Sequence, residues 1–359
     1  MAYVEINGDT YNVETTTELA LRINNESDDF DNLEKLVNLE ILSIGFYYQE
    51  EEELPEAIQN LPKLRVLDIS DNMMHFPESV CELTNLEELD LSVNEISELP
   101  ESIGNLTNLK KLYLNDNLIR TLPESIGNLT NLEELNVGSN LLIDLSTSFR
   151  NLTNLKFLDL STNNLTRFPE VVCELTELTN LDLGGNELEI IPDSIGNLRN
   201  LSRLNLNSSH IQRIPDSIGN LTNLSSLFIN NNNCTELPDS IGNLVNLEHL
   251  YAMNNRLVKI PKSIGNLVNL VILKLNRNNL RSVTKAIGNL VNLEIIDLSN
   301  NYLMRLPDIE GKLPNLRSLL LQNNQLNPVE CNRNYRDVII PSECFERVEF
   351  EDVVTKYYT

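Results

Sequence analysis

The side chains best suited to chemistry in this sequence are three histidines and five cysteines, and their spacing does not assemble a site. His75, His210 and His249 are isolated, and none falls in an HExxH or comparable metal-ligand spacing. The sequence also lacks the GxxxxGK[ST] and GxGxxG motifs that cradle phosphates. We therefore predict no catalytic residue, no metal, no cofactor and no enzymatic activity.

The cysteines are explained mostly by their register in a recurring segment. Cys81 and Cys173 replace a glycine of that segment and Cys234 takes an apolar position, so these three are predicted to be small core residues. Cys331 and Cys344 lie in the C-terminal tail, where a disulfide and free thiols both stay open. The odd number of cysteines and the absence of a secretory signal predict a cytoplasmic location, although a signal already removed would leave the same sequence.

A short tail motif admits two interpretations. Residues Arg347 to Phe350 read RVEF, which is similar to the RVxF pattern by which regulators dock on protein phosphatase one. Val348 and Phe350 also alternate with a period of two, which favours a cap strand that faces the last repeat.

The elements that must position any site are set by an internal repeat. The segment LxxLxLxxNxL recurs every 23 residues, and two earlier copies open at Leu39 and Leu64, which makes thirteen repeats. The first leucines of the regular copies are residues 86, 109, 132, 155, 178, 201, 224, 247, 270, 293 and 316. The full unit, NLxxLxLxxNxLxxLPxSIGNLT, is seen in Asn108 to Thr130.

This unit resembles the leucine-rich-repeat superfamily. Its LPxSIGNL spacer is similar to the intracellular class that includes the plant Ras-group-related and animal Ras-scaffold repeat proteins. The resemblance implies an α/β repeat solenoid, a horseshoe with a concave parallel β-sheet and short convex helical turns. It also implies a non-enzymatic scaffold for protein binding in signal transduction, with a small GTPase or a phosphatase as partner.

The physics of the unit predicts the same architecture. Leucines such as Leu112 and Leu114 alternate with polar residues, which indicates a strand too short to stand alone, so strands of successive repeats must pair in parallel. A spacer proline followed by Asp or Glu fits the first position of a short helical turn. The asparagine that recurs at position nine can satisfy backbone groups with its amide.

Caps are predicted to flank the repeats. Residues 1–38 are interpreted as an N-terminal cap, with a hairpin around Asn7-Gly8 and a short helix near Leu19 to Ile23. Residues 39–326 hold the repeats, and residues 327–359 are interpreted as a C-terminal cap.

Binding is expected at strand positions that the repeat does not dictate. Three successive repeats place aromatic, apolar and basic residues on the strand face, which is the composition of an interaction hot spot. The predicted protein-binding residues are Phe228, His249, Tyr251, Met253, Ile272, Lys274 and Arg277. Earlier repeats carry a secondary acidic concave surface at Asp68, Asp90, Asp159 and Asp182.

The net charge of −26 argues against nucleic acid and anionic membranes as partners. No apolar run approaches the roughly 18 residues of a membrane span, so no membrane insertion is expected. The charge is polarised, at −28 over residues 1–198, +6 over 199–285 and −4 over 286–359. This polarity favours either a bipolar protein partner or head-to-tail self-association.

Two other function classes stay open. A recognition or host-interaction repeat protein would use the same face on a different target. A ubiquitin-ligase-type repeat module is the enzyme-associated alternative, although the chain has no separate catalytic domain around a cysteine.

Overall fold

Each repeat forms one short strand, because its alternating leucines bury one side of an extended segment. A computed structural model describes residues 2–23, 30, 32–46, 54, 56–71, 75–309 and 311–326. The chain falls into two compact units, Met1–Ile211 and Gln212–Thr359, which are described separately. Cys331, Cys344, the RVEF motif and the predicted C-terminal cap lie outside the described residues.

The first unit contains one antiparallel hairpin and a parallel sheet in which the strands follow chain order. Its strands are β1 Tyr3–Ile6, β2 Asp9–Asn12, β3 Glu18–Ile23, β4 Ile41–Phe46, β5 Val66–Asp68, β6 Glu88–Asp90, β7 Lys111–Tyr113, β8 Glu134–Asn136, β9 Phe157–Asp159, β10 Asn180–Asp182 and β11 Arg203–Asn205. Within this unit, successive strands from β3 to β11 pair in parallel, so equivalent residues of successive repeats lie side by side.

The second unit repeats this parallel arrangement. Its strands are β12 Ser226–Phe228, β13 His249–Tyr251, β14 Ile272–Lys274, β15 Ile295–Asp297 and β16 Ser318–Leu320. Each again pairs with its successor at equivalent residues, so Phe228 lies beside Tyr251 and Tyr251 beside Lys274. The repeat solenoid predicted from the sequence, with a parallel sheet and short helical turns, is confirmed.

The spacers form short 3₁₀ helices in both units. In the first unit they are η1 Leu33–Lys35, η2 Glu56–Asn60, η3 Glu78–Glu82, η4 Glu101–Asn105, η5 Glu124–Asn128, η6 Thr147–Asn151, η7 Glu170–Glu174 and η8 Asp193–Asn197. In the second unit they are η9 Asp216–Asn220, η10 Asp239–Asn243, η11 Lys262–Asn266 and η12 Lys285–Asn289. In eight of the described helices, η3 to η5 and η7 to η11, the spacer proline is the N-cap residue, as at Pro192 with φ −73° and ψ 156°, rather than taking the first helical position as predicted. Ser146 and Thr284 cap η6 and η12 instead.

The N-terminal segment corrects one prediction. The hairpin around Asn7-Gly8 is present, and both turn residues have positive φ, 53° and 86°. The helix predicted near Leu19 to Ile23 is wrong, because Glu18–Ile23 forms β3 and pairs in parallel with β4. Leu19 and Leu21 alternate into the core at 4% and 5% exposure, so tertiary pairing decides the conformation of this short apolar segment.

The recurring asparagine forms a ladder that joins the repeats, as its amide predicts. In the first unit, Asn163 donates from Nδ2 to the carbonyl oxygens of Val137 at 3.0 Å and Leu160 at 3.1 Å. Its Oδ1 accepts the N–H of Leu142 at 2.9 Å. Ser209 takes the place of this asparagine in one repeat and interrupts the ladder there. Its buried Oγ has no hydrogen-bond partner.

Candidate functional site

The predicted binding residues lie on the outward side of the sheet in the second unit. The central leucines of β12, β13 and β14 are fully buried, so the residues that flank them point to the opposite face. We call the set predicted from the sequence the aromatic–cation cluster: Phe228, His249, Tyr251, Met253, Ile272, Lys274 and Arg277. Strand register brings most of these side chains together across three successive repeats.

Two rings form the centre of the aromatic–cation cluster. The rings of Phe228 and Tyr251 stack with centroids 5.0 Å apart and planes 9° apart, and His249 lies 6.4 Å from Tyr251. Lys274 places Nζ 5.9 Å from the centroid of the Tyr251 ring, within reach of a cation–π contact. The strands of a parallel sheet are close enough for rings in register to cover one another, so the stack is a direct result of the repeat.

Burial corrects part of the predicted surface. Phe228 is only 7% exposed and Ile272 only 4%, so neither presents the open apolar surface that its strand position suggested. His249, Tyr251, Met253 and Lys274 are half-buried and Arg277 is exposed. These residues form the accessible part of the aromatic–cation cluster. Phe228 acts as a support beneath Tyr251.

Arg277 occupies a strained backbone position. Its φ is +55°, and the equivalent turn residue has positive φ throughout the described repeats. The neighbouring repeats place Asn254 and Asn300 there, and asparagine tolerates this conformation better than most side chains. An arginine at this turn therefore lowers the stability of the local backbone conformation. It also places a cation beside the strand face.

The acidic residues predicted as a secondary surface have a structural role in the first unit. Each accepts the backbone N–H two residues later through Oδ1, which closes the turn at the end of its strand. These contacts join Asp68 to Ser70 at 3.0 Å, Asp90 to Ser92 at 2.8 Å, Asp159 to Ser161 at 2.8 Å and Asp182 to Gly184 at 2.9 Å. The sequence interpretation missed this role; binding by these carboxylates stays a prediction.

Asp182 has a pKa raised by its surroundings. Burial, with a smaller contribution from the neighbouring Asp159, raises its pKa, whereas a hydrogen bond from Asn205 Nδ2 at 2.8 Å opposes the rise. Because the folded pKa lies above the unfolded value, ionisation of this group costs stability as the pH rises through that interval.

The aromatic–cation cluster departs from the repeat at this same position, the last residue of the strand, where other repeats carry a turn-closing Asp or Asn. Asn136, Asn205 and Asp297 also close their own turns in this way. Phe228, Tyr251 and Lys274 cannot, because their side chains carry no acceptor at that place. In the Tyr251 repeat, the N–H of Met253 is instead accepted by Asn230 Oδ1 from the preceding repeat at 2.9 Å.

The remaining candidates for chemistry are ordinary structural residues. Among the described residues, no group of His, Cys, Asp and Glu could hold a metal ion. Cys81, Cys173 and Cys234 are buried, as predicted, and none of the three is joined in a disulfide. Burial raises the pKa of Cys173 to about 11 and that of Cys234 to about 12, which makes both poor nucleophiles.

Sequence reasoning missed a row of alternating charges at the entry to the strands of the first unit. Glu40, Arg65, Glu87 and Lys110 follow one another across repeats, and ion pairs join them at 2.6 Å, 3.9 Å and 2.7 Å. The alternation of acidic and basic residues from one repeat to the next is visible in the sequence and could have predicted this row. Because these side chains are exposed, water and salt screen the pairs, and they neutralise part of the acidity of this unit.

Comparison with known proteins agrees with the fold. The family described as leucine-rich repeat region matches residues 58–149, 88–183, 143–229 and 195–281, and a single leucine-rich repeat matches residues 292–313. No curated protein matches the chain. The parallel repeat solenoid and these matches define a repeat protein of the leucine-rich class, and the chain belongs to the leucine-rich-repeat family.

Similar solved structures come from bacteria and plants. A leucine-rich-repeat protein of Leptospira interrogans is 31% identical with a TM-score of 0.70, over 85% of this chain and 90% of that one. An internalin of Listeria monocytogenes is 26% identical with a TM-score of 0.72, over 87% and 89% of the two chains. The plant peptide hormone receptor RGFR1, solved in complex with RGF2, is 29% identical with a TM-score of 0.66, over 82% of this chain and 53% of the receptor chain.

Leucine-rich repeats generally serve as modules for protein interaction, because stacked strands offer an extended surface whose outward residues the fold leaves variable. In the described part of the chain, no helix has the length and apolar character needed to cross a membrane.

Proposed function

We propose that this chain is a non-enzymatic scaffold that binds a protein partner through the aromatic–cation cluster. The observation that carries the proposal is the loss of the turn-closing Asp or Asn at three successive strands, β12 to β14. Those strands carry Phe228, Tyr251 and Lys274 instead. The backbone of the repeat does not need two stacked rings and a cation there, so binding is the better reason for them.

The accessible chemistry suits a protein interface. Tyrosine, methionine and arginine are enriched where proteins meet, and Tyr251, Met253 and Arg277 lie at the accessible edge of the stack. Because Phe228 already holds the Tyr251 ring in place, little side-chain freedom remains to be lost on binding.

We place this scaffold in intracellular signalling as part of the same proposal. Two features support it: the LPxSIGNL spacer resembles the Ras-scaffold class, and Cys81, Cys173 and Cys234 are not joined in disulfides, as expected in a reducing compartment. That resemblance suggests a small GTPase or a phosphatase as the partner, in the cytoplasm. Head-to-tail self-association remains the alternative use of the charge polarity.

A second candidate function is recognition of an extracellular or host ligand. It is favoured by the similarity to the plant receptor RGFR1, which was solved with a bound RGF2. This function would use the same strand face, so the location of the chain in its cell distinguishes the two proposals better than the geometry does.

Tyr251→Ala should reduce capture of the partner from native lysate by about tenfold or more, the size of a hot-spot loss. Tyr113→Ala is the matched control, because Tyr113 holds the equivalent strand position in the first unit, where its Oη donates to Glu134 at 2.9 Å. Capture is measured with both variants and the wild-type chain at equal amounts of folded protein. Equal capture by Tyr251→Ala and wild type would refute the site.

A further inference from the structure

The aromatic–cation cluster sits in a local reversal of charge. The whole chain carries −26, yet residues 212–285 hold eight Lys and Arg against four Asp and Glu, a net charge of +4. Strands β12, β13 and β14 contain no acidic residue. The three strands that depart from the repeat therefore carry no acid of their own, although Glu248 directly precedes β13 and Asp297 lies beside Lys274 on β15.

Two of these cations lie at the strand face itself. Lys274 extends over the Tyr251 ring, and Arg277 is exposed at the strained turn three residues later. Two other cations of the same unit form ion pairs: Lys259 with Glu236 at 3.2 Å, and Arg213 with Asp216 at 3.6 Å. The nearest acid in register is Asp297 on β15, and its Oδ1 already accepts from the N–H and hydroxyl of Ser299.

A buried acceptor also lies beside these cations in sequence, and it would take a hydrogen-bond donor of the partner rather than a carboxylate. Asn276, between Lys274 and Arg277 in sequence, is only 6% exposed, and its Oδ1 has no hydrogen-bond partner. In the Phe228 repeat, the equivalent Asn230 is used to accept the N–H of Met253. For Asn276 the equivalent N–H belongs to Ser299 and is already bonded to Asp297, so the repeat leaves this acceptor unsatisfied.

We infer that the partner presents an acidic peptide segment to the aromatic–cation cluster. Carboxylates of this segment would pair with Lys274 and Arg277, and an adjacent apolar or aromatic side chain would lie against Tyr251 and Met253. Charge complementarity carries the choice: an acidic segment meets repulsion along most of this chain and attraction at this face. The inference rests on the proposed function and specifies the chemistry of its partner.

The test is selection of a displayed random-peptide library on the full chain, followed by affinity measurement of a synthetic copy of a selected peptide. We expect selected peptides to combine Asp or Glu with an aromatic or aliphatic residue. Lys274→Glu with Arg277→Glu should weaken their binding about tenfold or more, because charge-assisted contacts turn into repulsion. Raising the ionic strength should weaken wild-type binding as well.

Lys262→Glu with Lys285→Glu is the matched control. It makes the same change in net charge at the first residues of η11 and η12, where most other spacers already carry an acid. If charge reversal at the face unfolds the chain, Lys274→Gln with Arg277→Gln replaces it, with the same expected direction.

The outcomes separate the inference from the proposed function. Peptides that depend on Tyr251 but contain no acid, or that bind the charge-reversed variant equally well, would overturn the inference and leave the proposed function standing. Binding that is indifferent to Tyr251→Ala would overturn both.

Discussion

Replacing Asn163 with alanine is expected to lower the free energy of unfolding by about 1–3 kcal/mol. The side chain is 6% exposed and bonds to three carbonyl oxygens, of Val137, Leu160 and Ser161, at 3.0 to 3.1 Å. Those carbonyls keep other donors, from Asn140, Asn186 and Ser139. The main cost comes from the N–H of Leu142, whose acceptor is Asn163 Oδ1 and which alanine leaves buried without one.

Asn164→Ala is the control for this prediction. It makes the same chemical change at the next residue, which is exposed, so its effect should stay within about 0.5 kcal/mol. Urea denaturation followed by far-ultraviolet circular dichroism compares the two variants. If both shift the midpoint equally, the ladder does not hold the repeats together in the way described.

Leu114→Ala is expected to destabilise the first unit by about 2–5 kcal/mol, through lost apolar burial and the cavity that remains. Leu114 is fully buried beside β7. The following repeat is tied to its backbone, because the Leu114 carbonyl accepts from Asn140 at 2.8 Å as well as from Asn117 of its own repeat at 3.1 Å. This coupling limits how far the surrounding structure can collapse into the space.

Leu118→Ala is the matched control in the same repeat. Leu118 is 45% exposed, so the same truncation there should cost less than about 1 kcal/mol. Differential scanning calorimetry of both variants measures the contrast. A small effect of Leu114→Ala would mean that the repeat core relaxes more freely than its ladder contacts allow.

The repeat architecture was predictable because its causes are local and recur at fixed spacing. Alternating leucines placed the strands, and an asparagine amide at a fixed position predicted the ladder seen at Asn163. The conformation of Glu18–Ile23 was not predictable, since a short apolar segment fits a helix or a strand until its neighbour β4 is known.

The candidate site was predictable in position and less so in detail. Strand register brought Phe228, Tyr251 and Lys274 together as expected. Their burial depends on contacts between repeats. Phe228 is buried because the Tyr251 ring stacks on it, and this could not be predicted from Phe228 alone. The acidic row was interpreted as surface because a turn-closing hydrogen bond, such as that of Asp159, needs backbone geometry that composition does not contain.

The most direct test of the proposed interaction face is partner capture by a variant that returns this face to the repeat pattern. Phe228→Asn, Tyr251→Asn and Lys274→Asn together give β12 to β14 the residue that Asn136 and Asn205 use to close their turns. We expect the variant to keep its folded circular dichroism spectrum and to lose capture of the partner. Undiminished capture by the folded variant would contradict the account.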